Sequence, residues 1–225
     1  MDDQNWSRVR ALIFDLDGTL IDSKNDLISS VNMMLRELGR SELAPETVSG
    51  YIGHGAPRLV ARALGEECPE ETRQRGLAFF LEHYEAHKLD TTRPYPGVPE
   101  TLAELQDRPM AVLTNKPVRI SVRILEELGL ARYFRAIYGG NSFATKKPDP
   151  LGARTILQQL GAAPEEALMV GDSEVDVQTA RNAGTWAAVV SYGFGVHNAE
   201  AYPADIYLEH FEELTTFLNG RRIRG

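Results

Sequence analysis

Short apolar runs, each closed by a polar or glycine-rich loop, recur along the chain at Ala11–Phe14, Met110–Leu113, Ala136–Tyr138, 167–170, Trp186–Val190 and 205–208. Runs of this length without helical spacing predict short buried strands. Between them the apolar positions repeat at helical intervals. Val118, Val122, Leu125 and Leu128 mark one helix over 118–128, and Leu151–Leu160 and 175–183 carry two more. Gly129, Gly161 and Gly184 follow these patterns where C-terminal glycine caps belong. Strands alternating with helices predict an α/β fold: a Rossmann-like, mostly parallel sheet with helices on both faces.

The rhythm breaks between residues 22 and 91, where no strand pattern is found. Leu27, Val31, Met34, Leu35 and Leu38 form one helical stripe. Leu59, Val60, Ala63 and Leu64 form a second, and Phe79, Phe80 and Tyr84 sit in a third. The stretch 93–99 then carries three prolines and reads as a stiff connector. The expected organisation is an α/β core of residues 1–21 and 92–225, with a helical cap domain of residues 22–91 inserted after the first strand. The plainer alternative is one α/β domain with extra helices.

Composition narrows the class. The 225 residues are 43% hydrophobic and 25% charged, as in an ordinary globular protein. A net charge of −8 argues against nucleic acid or an anionic membrane as partner. The first apolar stretch, 9–14, contains Arg10 and stops at Asp15, so neither a signal peptide nor a membrane span is expected there. A single cysteine, Cys68, allows no internal disulfide and fits a reducing, cytoplasmic setting. Monomer and homodimer both remain open. The basic tail 221–224 reads as a solvated end.

The polar residues that follow the strands carry the chemistry. Asp15-Leu16-Asp17-Gly18-Thr19 follows the first strand and Thr114-Asn115-Lys116 follows the second. Lys146-Lys147-Pro148 lies in the loop after the third, and Gly171-Asp172-Ser173-Glu174-Val175-Asp176 follows the fourth. Sites in open α/β sheets form outside the carboxyl ends of the strands. If these strands are parallel neighbours, Asp15, Asp17, Asp172 and Asp176 meet in one crevice. Clustered carboxylates repel one another and call for a hard cation. Oxygen donors without nearby Cys or His favour Mg²⁺, which prefers phosphate-bearing ligands. Lys147 and Thr114 would then meet phosphate oxygens, and backbone N–H groups around Asp17, Gly18 and Asn115 would add an anion nest.

These four signatures, in this order, resemble the haloacid dehalogenase-like superfamily in its phosphatase branch. Ile52-Gly53-His54-Gly55, Tyr95-Pro96-Gly97-Val98 and Thr114-Asn115-Lys116 extend the resemblance to its phosphoglycolate phosphatases. The resemblance implies a phosphomonoester hydrolase acting through an aspartyl phosphate on 2-phosphoglycolate or a similar small phosphorylated metabolite. It implies Asp15 as nucleophile and Asp17 as general acid and base. Asp15, the Asp17 carbonyl, Asp172 and Asp176 would form the Mg²⁺ site. Thr114, Asn115, Lys147 and Gly18 would hold the phosphate, with Lys146 competing with Lys147 for that part. The glycine-rich loop 53–58 would dip into the site, bringing His54 or Arg58 to a substrate carboxylate.

Other activities fit less well. A dehalogenase has no leaving alkoxide for Asp17 to protonate, and a phosphonatase needs a cap lysine that residues 52–59 lack. A β-phosphoglucomutase-like phosphosugar mutase, a sugar-phosphate phosphatase or a pyrophosphatase would keep all four motifs. A non-catalytic interaction module on the same fold would be expected to lack a catalytic residue. Thr114-Asn115 also suits a helix cap, and Glu174 a first helical turn. His83 and His87 read as a solvated helix face, and Cys68 as inert.

Overall fold

A computed structural model describes residues 6–195 and 197–219; the N-terminal 1–5 and the basic tail 221–224 lie outside them. The elements in chain order are β1 (Ala11–Phe14), β2 (Ile21–Asp22), α1 (Lys24–Glu37), α2 (Pro45–Ser49), α3 (Ala56–Leu64), α4 (Glu70–His87), β3 (Arg93–Pro94), α5 (Val98–Glu104), β4 (Met110–Leu113), α6 (Val118–Glu127), β5 (Ala136–Tyr138), α7 (Leu151–Leu160), β6 (Ala167–Gly171), α8 (Glu174–Ala183), β7 (Trp186–Val190), β8 (Ile206–Leu208) and α9 (Glu213–Leu218).

Six strands form one sheet in the order β5-β4-β1-β6-β7-β8, every pair parallel. Alternate side chains serve opposite faces. Leu12, Phe14, Met110, Val112, Leu168 and Val170 join the core that also contains residues of α1, α3, α5, α6 and α9. Ala11, Ile13, Ala111, Leu113, Ala167 and Met169 pack with α7 and α8. Both faces are covered, so β1, β4 and β6 are buried at every position and read as unbroken apolar runs. Central β1 pairs with both β4 and β6. The chain runs outward from β1 through β4 to β5, then returns to the other side of β1 as β6. That reversal opens a crevice at the carboxyl end of β1.

Residues between β2 and β3 contain helices α1 to α4. Leu27, Val31, Met34 and Leu35 bury one stripe of α1, and Phe80 and Tyr84 bury one of α4. These side chains belong to the same hydrophobic cluster as one face of the sheet. The connector at 93–99 is not a bare turn. Arg93 and Pro94 pair antiparallel with Asp22 and Ile21, so the two chain crossings between sheet and helices lie side by side. Asp26 closes the crossing further, accepting hydrogen bonds from the backbone and hydroxyls of Thr91 and Thr92 at 2.6 to 3.1 Å.

Candidate active site

The loops after β1, β4, β5 and β6 meet at one rim of the sheet. Asp15 follows β1 directly, and its N–H donates to Val170 O in β6 at 2.9 Å. Oxygens of Asp15, Asp172 and Asp176 lie within 4.8 Å of one another, and all three residues are buried. Lys147, from the loop after β5, is 5% exposed and inserts its ammonium among them, 2.8 Å from Asp15 Oδ1 and 2.6 Å from Asp176 Oδ1. The Asp176 contact is a directed hydrogen bond. The Asp15 contact is an off-axis ion pair, leaving Asp15 Oδ1 buried without a hydrogen-bond donor. Lys147 is thus the buried ammonium. Lys146 is exposed and donates to the His54 carbonyl at 3.3 Å.

Local chemistry fixes the carboxylates. Ser173 N–H and Oγ–H donate to Asp176 Oδ2 at 3.2 and 2.7 Å, tying Asp176 to the start of α8. Asp172 Oδ2 accepts the N–H groups of Phe194 and Gly195 at 2.7 and 2.9 Å. Gly18 has φ +82°, and a Cβ there would fall 2.2 Å from Asp172 Oδ2. Its N–H is committed to Ile21 O at 2.9 Å. The part of Gly18 is therefore to leave room for Asp172 rather than to supply an anion donor.

Asp17 faces the other way. Its Oδ1 accepts from Ser23 Oγ at 2.5 Å and from Lys116 Nζ at 2.8 Å. Lys116 Nζ also donates to the hydroxyl of Tyr84, from α4, at 2.6 Å. The Asp17 side chain lies outside the Asp15–Asp172–Asp176 oxygen cluster. That disposition is compatible with the expected carbonyl contribution of Asp17 to a metal and leaves its carboxyl outside the cluster.

The electrostatics follow from burial. Desolvation pushes the Asp15 carboxyl up to about 6 against the pull of Lys147. Burial first, then Asp176 and Asp15, pushes Asp172 up to about 7. Burial works against the Lys147 ammonium, but Asp15 and Asp176 outweigh it and hold it protonated. Lys116 is likewise held up by Asp17 and Tyr84 despite burial. Four carboxyl groups face two ammoniums, and the raised values of Asp15 and Asp172 mark that excess of acidic groups. That excess, the donor-poor Asp15 Oδ1 and the all-oxygen set fit a divalent cation.

A cavity of about 40 Å³ lies between α1, α3, α4 and this rim. Asp15, Asp17, Thr114, Asn115 and Lys116 line its polar end, and Leu27, Ile52, Leu59, Phe80 and Leu81 its apolar wall. The glycine-rich loop does press into the site. Asn115 Nδ2 donates to Gly53 O at 3.0 Å, and a Cβ on Gly55 would meet Asn115 O at 2.8 Å. It does so through its backbone: neither His54 nor Arg58 lines the cavity, and Arg58 is exposed. His83 and His87 stack at 4.3 Å on the side of α4, bonded to Ser30 and Asp90 respectively. Cys68 is buried within 3.4 Å of Arg40 Nη2.

The model of the haloacid dehalogenase-like hydrolase family matches residues 12–190. The chain belongs to that family. A protein of Pseudomonas savastanoi pv. phaseolicola named phosphoglycolate phosphatase is 43% identical over 204 residues, covering 87% of this chain and 75% of its own length. One of the same name from Chromobacterium violaceum is 39% identical, covering 93% and 96%. A Haemophilus somnus crystal structure described as a predicted phosphoglycolate phosphatase superimposes with a TM-score of 0.89 at 30% identity, covering 93% of this chain and 97% of that one.

For this haloacid dehalogenase-like hydrolase, sequence reading passed over three contributors to the site. Lys116 closes the segment Thr114-Asn115-Lys116, but nothing local says that its side chain turns to Asp17. Tyr84 stands in an apolar helical stripe, which gives no sign of its hydroxyl's partner. The N–H groups of Phe194 and Gly195 belong to a loop whose glycines were the sole signal. No helix among the described residues is long and apolar enough to cross a membrane.

Proposed function

We propose that this hydrolase is a Mg²⁺-dependent phosphomonoesterase whose substrate is 2-phosphoglycolate or a similar small phosphorylated acid in the cytoplasm. One observation carries the reading. Two carboxylates only two residues apart line one cavity with different partners: Asp15 joins Lys147 and the Asp172–Asp176 cluster, whereas Asp17 stands outside that cluster, paired with Lys116 and Ser23. Such separation suits one carboxyl for attack and the other for proton transfer.

An Asp15 oxygen attacks phosphorus, the phosphorus–oxygen bond to the leaving group breaks, and Asp17 gives that oxygen its proton. Water then attacks the phosphorus of the aspartyl phosphate while Asp17 takes a proton from it, releasing inorganic phosphate and restoring Asp15. Lys147 and Thr114 neutralise and orient phosphoryl oxygens, and Asn115 shapes their seat. Asp15, the Asp17 carbonyl and Asp172 would hold Mg²⁺, with Asp176 ordering that set; the ion supplies charge neutralisation to the phosphoryl group. Residues 22–91 act as the cap that keeps bulk water out during the first transfer.

The apolar wall gives a hexose few hydrogen-bond partners, which favours a short substrate over the phosphosugar alternatives. The test is Mg²⁺-dependent phosphate release from 2-phosphoglycolate by the wild type and by Asp15→Asn. Turnover with a trappable phosphoenzyme, both lost in the variant, is the expected result. Wild-type-like turnover in Asp15→Asn would overturn the mechanism.

A further inference from the structure

Lys116 is the one cation among the described residues lining the cavity between the cap helices and the sheet. It is 5% exposed, with Nζ 2.8 Å from Asp17 Oδ1, 3.1 Å from Asp17 Oδ2 and 2.6 Å from the Tyr84 hydroxyl. An ammonium has three N–H groups, and the two Asp17 oxygens and the Tyr84 hydroxyl account for all three. The Tyr84 hydroxyl accepts from Lys116, and among the described residues no acceptor takes its own proton. One donor, the O–H of Tyr84, is therefore left over beside the Lys116 charge, on two residues that line the cavity. A carboxylate oxygen can receive that proton and sit beside the ammonium.

Resting on the phosphatase reading, we propose that Lys116 and Tyr84 form the seat for the substrate's carboxylate, and that this seat selects a carboxylate one methylene from the leaving oxygen. The order of the groups along the cavity sets the length. Asp17 stands beside the leaving oxygen to protonate it, and Lys116 is one hydrogen bond beyond Asp17. A carboxylate joined through a single carbon reaches that point; a longer tail runs into Leu81 and Phe80, which offer nothing polar. An uncharged tail leaves the Tyr84 O–H buried without an acceptor, a desolvation penalty that a carboxylate removes. The seat spans cap and sheet, because Tyr84 comes from α4 and Lys116 from the loop after β4. Only a closed cap completes it. This takes the place of His54 and Arg58, which do not line the cavity.

Binding of non-hydrolysable analogues tests the seat without needing turnover. Calorimetry with Mg²⁺ present compares 3-phosphonopropionate with propylphosphonate, which has a methyl in place of the carboxylate. The wild type is expected to prefer the carboxylate by about 10–100-fold. Lys116→Met brings the ratio close to one, Lys116→Arg keeps a preference, and Tyr84→Phe lowers it several-fold. An unchanged ratio in Lys116→Met overturns the inference, as does an equal loss of both ligands, which marks a merely structural lysine. Should Lys116→Met not fold, the Tyr84→Phe ratio decides alone, and no change there overturns the inference. A wild type that releases no phosphate from any ester refutes the phosphatase reading instead; turnover without carboxylate preference refutes only the seat.

Discussion

Lys147 and Asp176, 29 residues apart in the chain, meet at 2.6 Å between Nζ and Oδ1 with each side chain only 2% exposed. Removing one partner of a buried pair leaves an uncompensated charge, at about 3–5 kcal/mol. Lys147→Met leaves three clustered carboxylates facing one another, so in EDTA its melting temperature should fall well below that of the wild type. Added Mg²⁺ should restore more stability to the variant than it gives the wild type. Phosphate release should drop at least about 100-fold, since charge stabilisation of the phosphoryl group is lost. Thermal scans with and without Mg²⁺ check this, and an unshifted midpoint in EDTA would contradict it.

Asp15 at about 6 and Asp172 at about 7 both sit above the ordinary carboxylate value of 3.8, with burial the largest cause. A raised carboxyl binds protons more tightly in the folded state than in the unfolded chain. Its ionisation therefore costs stability as pH rises from about 4 to the folded value. The metal-free protein should gain stability from these groups when acidified from pH 8 toward 5. A divalent cation competes with the same protons. The melting-temperature difference between Mg²⁺ and EDTA should be largest near pH 8 and shrink through 7 and 6. A difference that grows on acidification would remove Asp15 and Asp172 as the cation's ligands.

Gly18→Ala places a Cβ where Asp172 Oδ2 now lies, at a φ of +82° that alanine adopts poorly. On the proposal that Asp172 holds the cation, disturbing the surroundings of that carboxylate costs about 10–100-fold in metal affinity. Gly161→Ala shares the positive φ, +68°, but has open space around the added atom. Both variants should lose about 1 kcal/mol of stability to backbone strain. Only Gly18→Ala should raise the Mg²⁺ concentration needed for half-maximal activity. Parallel Mg²⁺ titrations check this, and equal requirements would refute it.

The parallel sheet was legible because its strands are buried on both faces and hence uniformly apolar, as in Leu12 to Phe14 and Leu168 to Val170. Glycine caps and Asp-rich loops marked where each strand delivers its chemistry. Long-range side-chain pairings escaped, since neither Lys116 nor Tyr84 carries a local signal for a partner 32 residues away in the chain. Helix α9 and the two-residue strands β2 and β3 were missed for a related reason. Elements that short leave no periodicity, and tertiary pairing with Ile21 and Asp22, not propensity, makes Arg93-Pro94 a strand. His54 and Arg58 were reasonable cations for a substrate carboxylate, but the loop approaches with its carbonyls and leaves those side chains outside.

Asp26 is 3% exposed and holds Thr91 and Thr92 through four donors, tying the first turn of α1 to the chain on its way back to the sheet. Hydrogen bonds to a charged acceptor are worth more than neutral ones, and Asp26→Ala orphans all four donors at once. The expected loss is about 3 kcal/mol, or roughly 6–12 °C in melting temperature for a chain of this size. Amide exchange at Thr91 and Thr92 should accelerate well beyond that of the β1 and β6 amides, because the crossing loosens while the sheet stays paired. Asp26→Asn keeps one carbonyl acceptor and should fall between. If Thr91 and Thr92 exchange at wild-type rates in Asp26→Ala, the crossing is held by the Ile21–Pro94 and Asp22–Arg93 pairing instead, and Asp26 is not its clamp.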